Sequence, residues 1–129
     1  MKNYNIIHLN DINKLKRIEL HDQLNLTSSE ISINQINAGE SLPFVHSHKQ
    51  NEEIYFILNG EGLLYIDGEE IIIKKDDVFR ISPQGARSIK ADDNSSLSYI
   101  CIQAKANSLE NFTLKDGKLE DCKPSWLQQ

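Results

Sequence analysis

From Thr27-Ser28-Ser29 onward the chain takes up a period of two. Ile31 and Ile33 alternate with Ser32 and Asn34, as a strand with one buried face requires. The β-like pattern then runs for some 70 residues, as stretches rich in Ile, Val, Leu, Phe and Tyr separated by turn residues. These turns are Ala38-Gly39, Asn59-Gly60, Asp67-Gly68, Asp76-Asp77 and Pro83-Gln84-Gly85. Asn-Gly and Asp-Gly are the strongest short hairpin signals, because a type I′ turn needs positive φ at both central positions. Short strands spaced in this way point to a sandwich or barrel, and eight or so would build a jelly roll. Ahead of them, Ile12, Leu15 and Ile18 follow the N-cap residues Asn10 and Asp11, and this spacing predicts a short amphipathic helix over 10–20. After Ala104 the alternation ends. Leu109, Phe112, Leu114, Leu119, Trp126 and Leu127 are scattered among charged residues, as in a segment that packs across the barrel or serves a neighbouring subunit.

At 129 residues the chain has the size of one domain, so the expected division is an N-terminal strand and short helix over 1–27, a barrel core over about 28–104 and an extension over 105–129. No apolar run approaches the length of a membrane span, and the opening MKNYNIIHLND is too polar for a secretory signal. A cytoplasmic setting is expected. The net charge of −5 and the lack of a basic stripe argue against nucleic acid and anionic membranes as partners, leaving a small-molecule ligand. Cys101 and Cys122 form no disulfide framework, and Cys101, within the alternating SLSYICIQ, reads as a small core residue.

The candidate chemistry lies in PFVHSHKQNEEIYF. His46 and His48 stand two apart, so on a strand both imidazoles leave the same face. The next strand brings Glu53 beside them, whereas Glu52 has the opposite parity. Two imidazoles and one carboxylate with open positions suit non-haem iron and also zinc or manganese. A His-x-His pair can also be an ordinary hydrogen-bonded face. Tyr55 and Ile57 share the parity of Glu53 and should line the same interior.

Gly39, His46, His48, Glu53 and Gly60 occupy the marked places of a spaced signature, and on these residues the chain resembles the cupin superfamily. Asp77 to Ser88, with Pro83 and Gly85, is similar to the second signature of that family, and the likeness covers about residues 36–103. The resemblance implies an all-β double-stranded β-helix, a divalent metal (iron, zinc, manganese or nickel) on His46, His48 and Glu53, and a homodimer. It also places Ser88 where the family carries a further histidine ligand, so that ligand is missing.

Arg87 adjoins this gap, and Arg80 lies in the strand preceding Pro83. Unpaired arginine is rarely buried, so both are expected at the surface. The alternative is an inward Arg80 or Arg87 clamping a carboxylate or phosphate that the histidines position, with or without a metal, in a pocket with Tyr55 and Ser88. Two functional readings stay open. One is a metal-dependent oxygenase or isomerase acting on a small molecule. The other is a non-catalytic barrel holding an anionic or sugar-like ligand.

Overall fold

The computed structural model describes residues 2–128. Among these, seven strands form the barrel: β1 (Arg17–Glu19), β2 (Glu30–Ile36), β3 (Asn51–Ile66), β4 (Glu69–Lys74), β5 (Val78–Ile81), β6 (Arg87–Ala91) and β7 (Leu97–Lys105). All pairings are antiparallel, and the order β1-β2-β7-β3 builds one sheet. The architecture is the double-stranded β-helix. No helix of the described residues is long and apolar enough to cross a membrane.

β3 joins the two sheets. Its first half lies between β7 and β5, and its second half between β4 and β6. The change of sheet falls at a bulge between Ile57 and Asn59, followed by Gly60 at φ +88°. Asn59-Gly60 is therefore not the hairpin that the dipeptide signals. Asn59 keeps an ordinary negative φ, so the pair cannot form a type I′ turn, and the strand continues through it. Asp67-Gly68, with φ of 48° and 91°, does form that turn and joins β3 to β4.

The helix expected over 10–20 is also absent. Ile12–Lys14 form one 3₁₀ turn capped by the Asp11 carboxylate, and Arg17–Glu19 pair with β2 as an edge strand. The sole α-turn of this region is α1 (His21–Leu24), closed by Asn25 in the left-handed conformation. Sheet pairing satisfies more backbone groups than a short isolated helix could, and it prevails over the three-residue spacing. The segment after Lys105 forms only 3₁₀ turns and does not pack across the barrel: Leu114, Leu119 and Trp126 are exposed.

Register fixes which side chains face inward. Directly opposed residues share a face, so Asn34–Tyr99–Ile57 and Ser32–Cys101–Tyr55–Phe79 form two rows across the inner surface, and Gln103–Glu53–Ile81 forms a third. The polar half of β2 thus faces the barrel. Ile33 is buried on the other face, opposite Ile18 and Ile100 and outside the main apolar cluster. That cluster runs from Ile36, Ile57, Leu64, Ile73, Ile89 and Leu97 to Tyr55, Tyr99 and Cys101, beyond which the barrel interior turns polar at Glu53, Ser32 and Asn34.

Candidate metal centre

His46 and His48 lie on an extended segment that runs antiparallel to β6 without forming a full strand. Leu42 N–H donates to Ile89 O, His46 and Arg87 exchange backbone hydrogen bonds of 3.1 and 2.9 Å, and His48 N–H donates to Pro83 O at 2.8 Å. These bonds give the two histidines the common face that alternation predicts. Glu53, near the start of β3, meets them from the side. One ligand atom from each of the three residues lies within 4.8 Å of the other two.

The Glu53 carboxylate is tightly held. Tyr55 O–H donates to Oε1 at 2.7 Å, Cys101 S–H donates to Oε2 at 3.4 Å, and Arg87 Nε stands 3.7 Å from Oε1. Burial alone would raise its pKa. The Tyr55 hydroxyl, with His48, the Cys101 thiol and Arg87, outweighs burial and keeps the carboxyl below its ordinary range. For His46, burial comes first and lowers the pKa against the pull of Glu53, with His48 and Arg87 adding to the decrease, so the neutral, metal-binding form is favoured. Burial also pushes the Tyr55 hydroxyl far above its usual value and raises the Cys101 thiol to about 12. Near neutral pH, iodoacetamide should therefore modify exposed Cys122 and spare buried Cys101, as peptide mass spectrometry would read. Rapid labelling of both thiols would contradict this packing.

His46 Nδ1 and His48 Nε2 are buried and have no hydrogen-bond partner among the described residues. His48 Nε2 lies 3.1 Å from Glu53 Oε2, close enough for attraction but without the alignment of a hydrogen bond. Two buried imidazole nitrogens left bare beside an ionised carboxylate suit a cation. The donor set fits a divalent metal, with His46, His48 and Glu53 as its protein ligands.

The other residues singled out in the sequence divide. Arg87 is fully buried, contrary to the surface position expected for it. Its Nη2 donates to Ser82 O at 2.9 Å, while Nε and Nη1 have no partner among the described residues. It stands behind Glu53, where it compensates the carboxylate, and does not line the cavity. Ser88 points the other way, into an outer groove with Ser41, Tyr65 and Lys90, so the position counted from Pro83 and Gly85 is not at the centre. β6 places Arg87, one residue earlier, on the inner face. Arg80 is outside too, opposite Ile54 in register, with its guanidinium on Ser82 Oγ at 2.9 Å and 3.7 Å from Glu52. Neither Arg80 nor Ser88 reaches the candidate ligand space.

A cavity of about 500 Å³ opens beside the three donors. Leu42, Phe44, Tyr55 and Tyr99 form its apolar walls, while Ser32, Asn34, Gln103 and Arg17 supply polar groups besides the three donors. Sequence reading did not single out these four. The signal was there in the polar half of the 31–34 alternation, but periodicity alone does not say which half faces a cavity.

A β-helix barrel with a His-His-Glu cluster at its polar end defines the class of protein. Residues 33–103 match the family described as the cupin domain, and the chain belongs to that family. It is similar to a cupin protein from Bacteroides fragilis of known crystal structure, at 50% identity and a TM-score of 0.88, over 93% of this chain and 99% of that one. Two curated relatives match more locally. One is an uncharacterised protein of Methanocaldococcus jannaschii, 38% identical over 55% of this chain and 57% of its own length. The other is an oxalate-binding protein of Thermotoga maritima, 33% identical over 45% of this chain and 48% of its own. The chain spans about half the length of these curated relatives. A structure described as a putative sugar phosphate isomerase, from Acidithiobacillus ferrooxidans, shares the fold at 22% identity and a TM-score of 0.65.

Proposed function

We propose that the chain binds a divalent metal ion through His46, His48 and Glu53, and that the cavity beside this centre receives a small anionic ligand. The observation that carries the reading is the convergence of one donor atom from each of His46, His48 and Glu53 within 4.8 Å of one another, with His46 Nδ1 and His48 Nε2 buried and without hydrogen-bond partners among the described residues. When bound, the ion supplies Lewis acidity at its open positions. The protein's own part is to keep His46 neutral, to fix the carboxylate through Tyr55 and Cys101, and to shield the site with Phe44 and Tyr99. An anionic ligand is favoured because the centre holds one carboxylate against the two charges of the ion. The name of the Thermotoga relative supports a carboxylate as that anion.

A metal-free anion site is the second reading. It is favoured by Arg17, the cationic side chain that lines the cavity.

Elemental analysis of protein purified without added metal, and again after reconstitution, separates the two. Near-stoichiometric metal is expected in the native chain, with a loss of at least about tenfold in affinity for His46→Ala and for Glu53→Ala, ~1.4 kcal/mol or more. Both variants should stay folded by circular dichroism, with Glu53→Ala melting earlier because it leaves buried Arg87 without its carboxylate. Equal metal content in all three proteins would refute the ligand set, and no metal in any of them would transfer the site to the metal-free reading.

A further inference from the structure

The cavity has a second polar end that no part of the metal centre needs. On the inner face of β1 and β2, where barrels ordinarily place apolar filling, stand Arg17, Ser32 and Asn34. Ser32 and Asn34 are buried, and the three side chains form one hydrogen-bonded chain: Arg17 donates to Asn34 Oδ1, and Asn34 Nδ2 donates to Ser32 Oγ at 3.0 Å. This chain orients the Arg17 guanidinium at the cavity and leaves the Ser32 hydroxyl proton free to be donated. Polar groups placed inside a barrel carry a desolvation cost that an apolar β2 would avoid.

We propose that Arg17, Ser32 and Asn34 form a second anchoring pole, so that the cavity takes a two-headed anion with one head at the metal and the other on Arg17. The proposal rests on the metal-and-anion reading above and names its ligand class: a short, unbranched dicarboxylate or an equivalent doubly anionic molecule. β2 and β7 separate β1 from β3, so Arg17 and Glu53 enter the cavity from strands three places apart in the sheet. Arg17 reaches in from one end, and the imidazoles and Glu53 from the other. A ligand that touches both must have two anionic heads joined by a few carbon atoms, and the cavity of about 500 Å³ has room for one. Guanidinium and carboxylate are matched in shape, and a bidentate pair adds orientation as well as attraction.

Glu19 competes for the same guanidinium. It accepts from Arg17 Nη2 at 3.0 Å, and both side chains are 58% exposed. Such a pair is screened and weak, so a ligand entering from the cavity side can displace it. Arg17→Gln and Glu19→Gln should therefore act in opposite directions.

The test is calorimetric titration of the metal-loaded protein with oxalate, succinate and glutarate. Arg17→Gln should weaken the better of succinate and glutarate at least about tenfold and change oxalate less than about twofold, because oxalate reaches only the metal end. Glu19→Gln should tighten the same longer ligand. Equal losses for oxalate and the longer acids, no loss for either, or no binding of succinate and glutarate by a native chain that binds oxalate would overturn the second pole. Failure of the metal centre itself is read separately, as absence of metal and of oxalate binding in the native protein.

Discussion

Histidine in place of Arg87 is expected to tighten divalent metal binding at least about tenfold, whereas histidine at Ser88, one position later, is expected to leave it unchanged. Counting along the sequence selects Ser88 as the vacant ligand position. β6 instead turns Arg87 and Ile89 inward and Ser88 out, opposite Tyr65. Arg87→His removes a fixed positive charge 3.7 Å from Glu53 and puts a nitrogen donor on the same inner position, beside His46 across the short bridge. The exchange has a cost without metal. Taking one partner from a buried ion pair typically costs about 3–5 kcal/mol, so the metal-free variant should unfold earlier and regain stability when loaded. A chelator competition titration and thermal melts of both variants read these effects. Tightening by Ser88→His alone would mean that the register of β6 is wrong.

The second large effect is steric. A Cβ built on Gly60 would lie 1.8 Å from Ser96 O and 2.9 Å from its carbonyl carbon, and both contacts are to backbone that cannot step aside. Gly60→Ala is therefore expected to cost more than about 4 kcal/mol, a large share of the roughly 5–15 kcal/mol that holds a domain together. At about 4 °C per kcal/mol, the melting temperature should fall by roughly 15 °C or more. Gly68 separates space from conformation. Its φ of +91° is equally left-handed, yet nothing lies within 4 Å of the added carbon, so Gly68→Ala should cost only about 1 kcal/mol. Similar melting points for the two variants would show that the approach of Ser96 is not rigid.

Sequence patterning reached the barrel class because its signals were local. Two-residue alternation, the Asp67-Gly68 turn and the spacing of His46, His48 and Glu53 each depend on neighbours along the chain or on one adjacent strand. What it missed depends on distant partners. Asn59-Gly60 carries a hairpin dipeptide, but Ser96 and the strands on either side make it a bend within β3. Ile31 and Ile33 look like the barrel core, yet the register with Tyr99 and Cys101 gives the interior to Ser32 and Asn34. Arg87 breaks the rule that arginine stays outside because Glu53 is there to meet it, and no spacing along the chain reveals that encounter. Arg17 was hidden in a segment that read as helix.

The place of β3 at the junction of both sheets also sets an order of events during synthesis. β4, β5, β6 and β7, the strands that pair with it, all follow it in the chain. A ribosome adding about 5–20 residues per second needs roughly 2–8 s to extend the chain from Ile66 to Lys105. Throughout that interval the 16-residue β3, with Ile54, Phe56, Leu63 and Leu64, has no completed sheet to join. The nascent chain thus carries its longest strand unpaired until residues 67–105 have followed it.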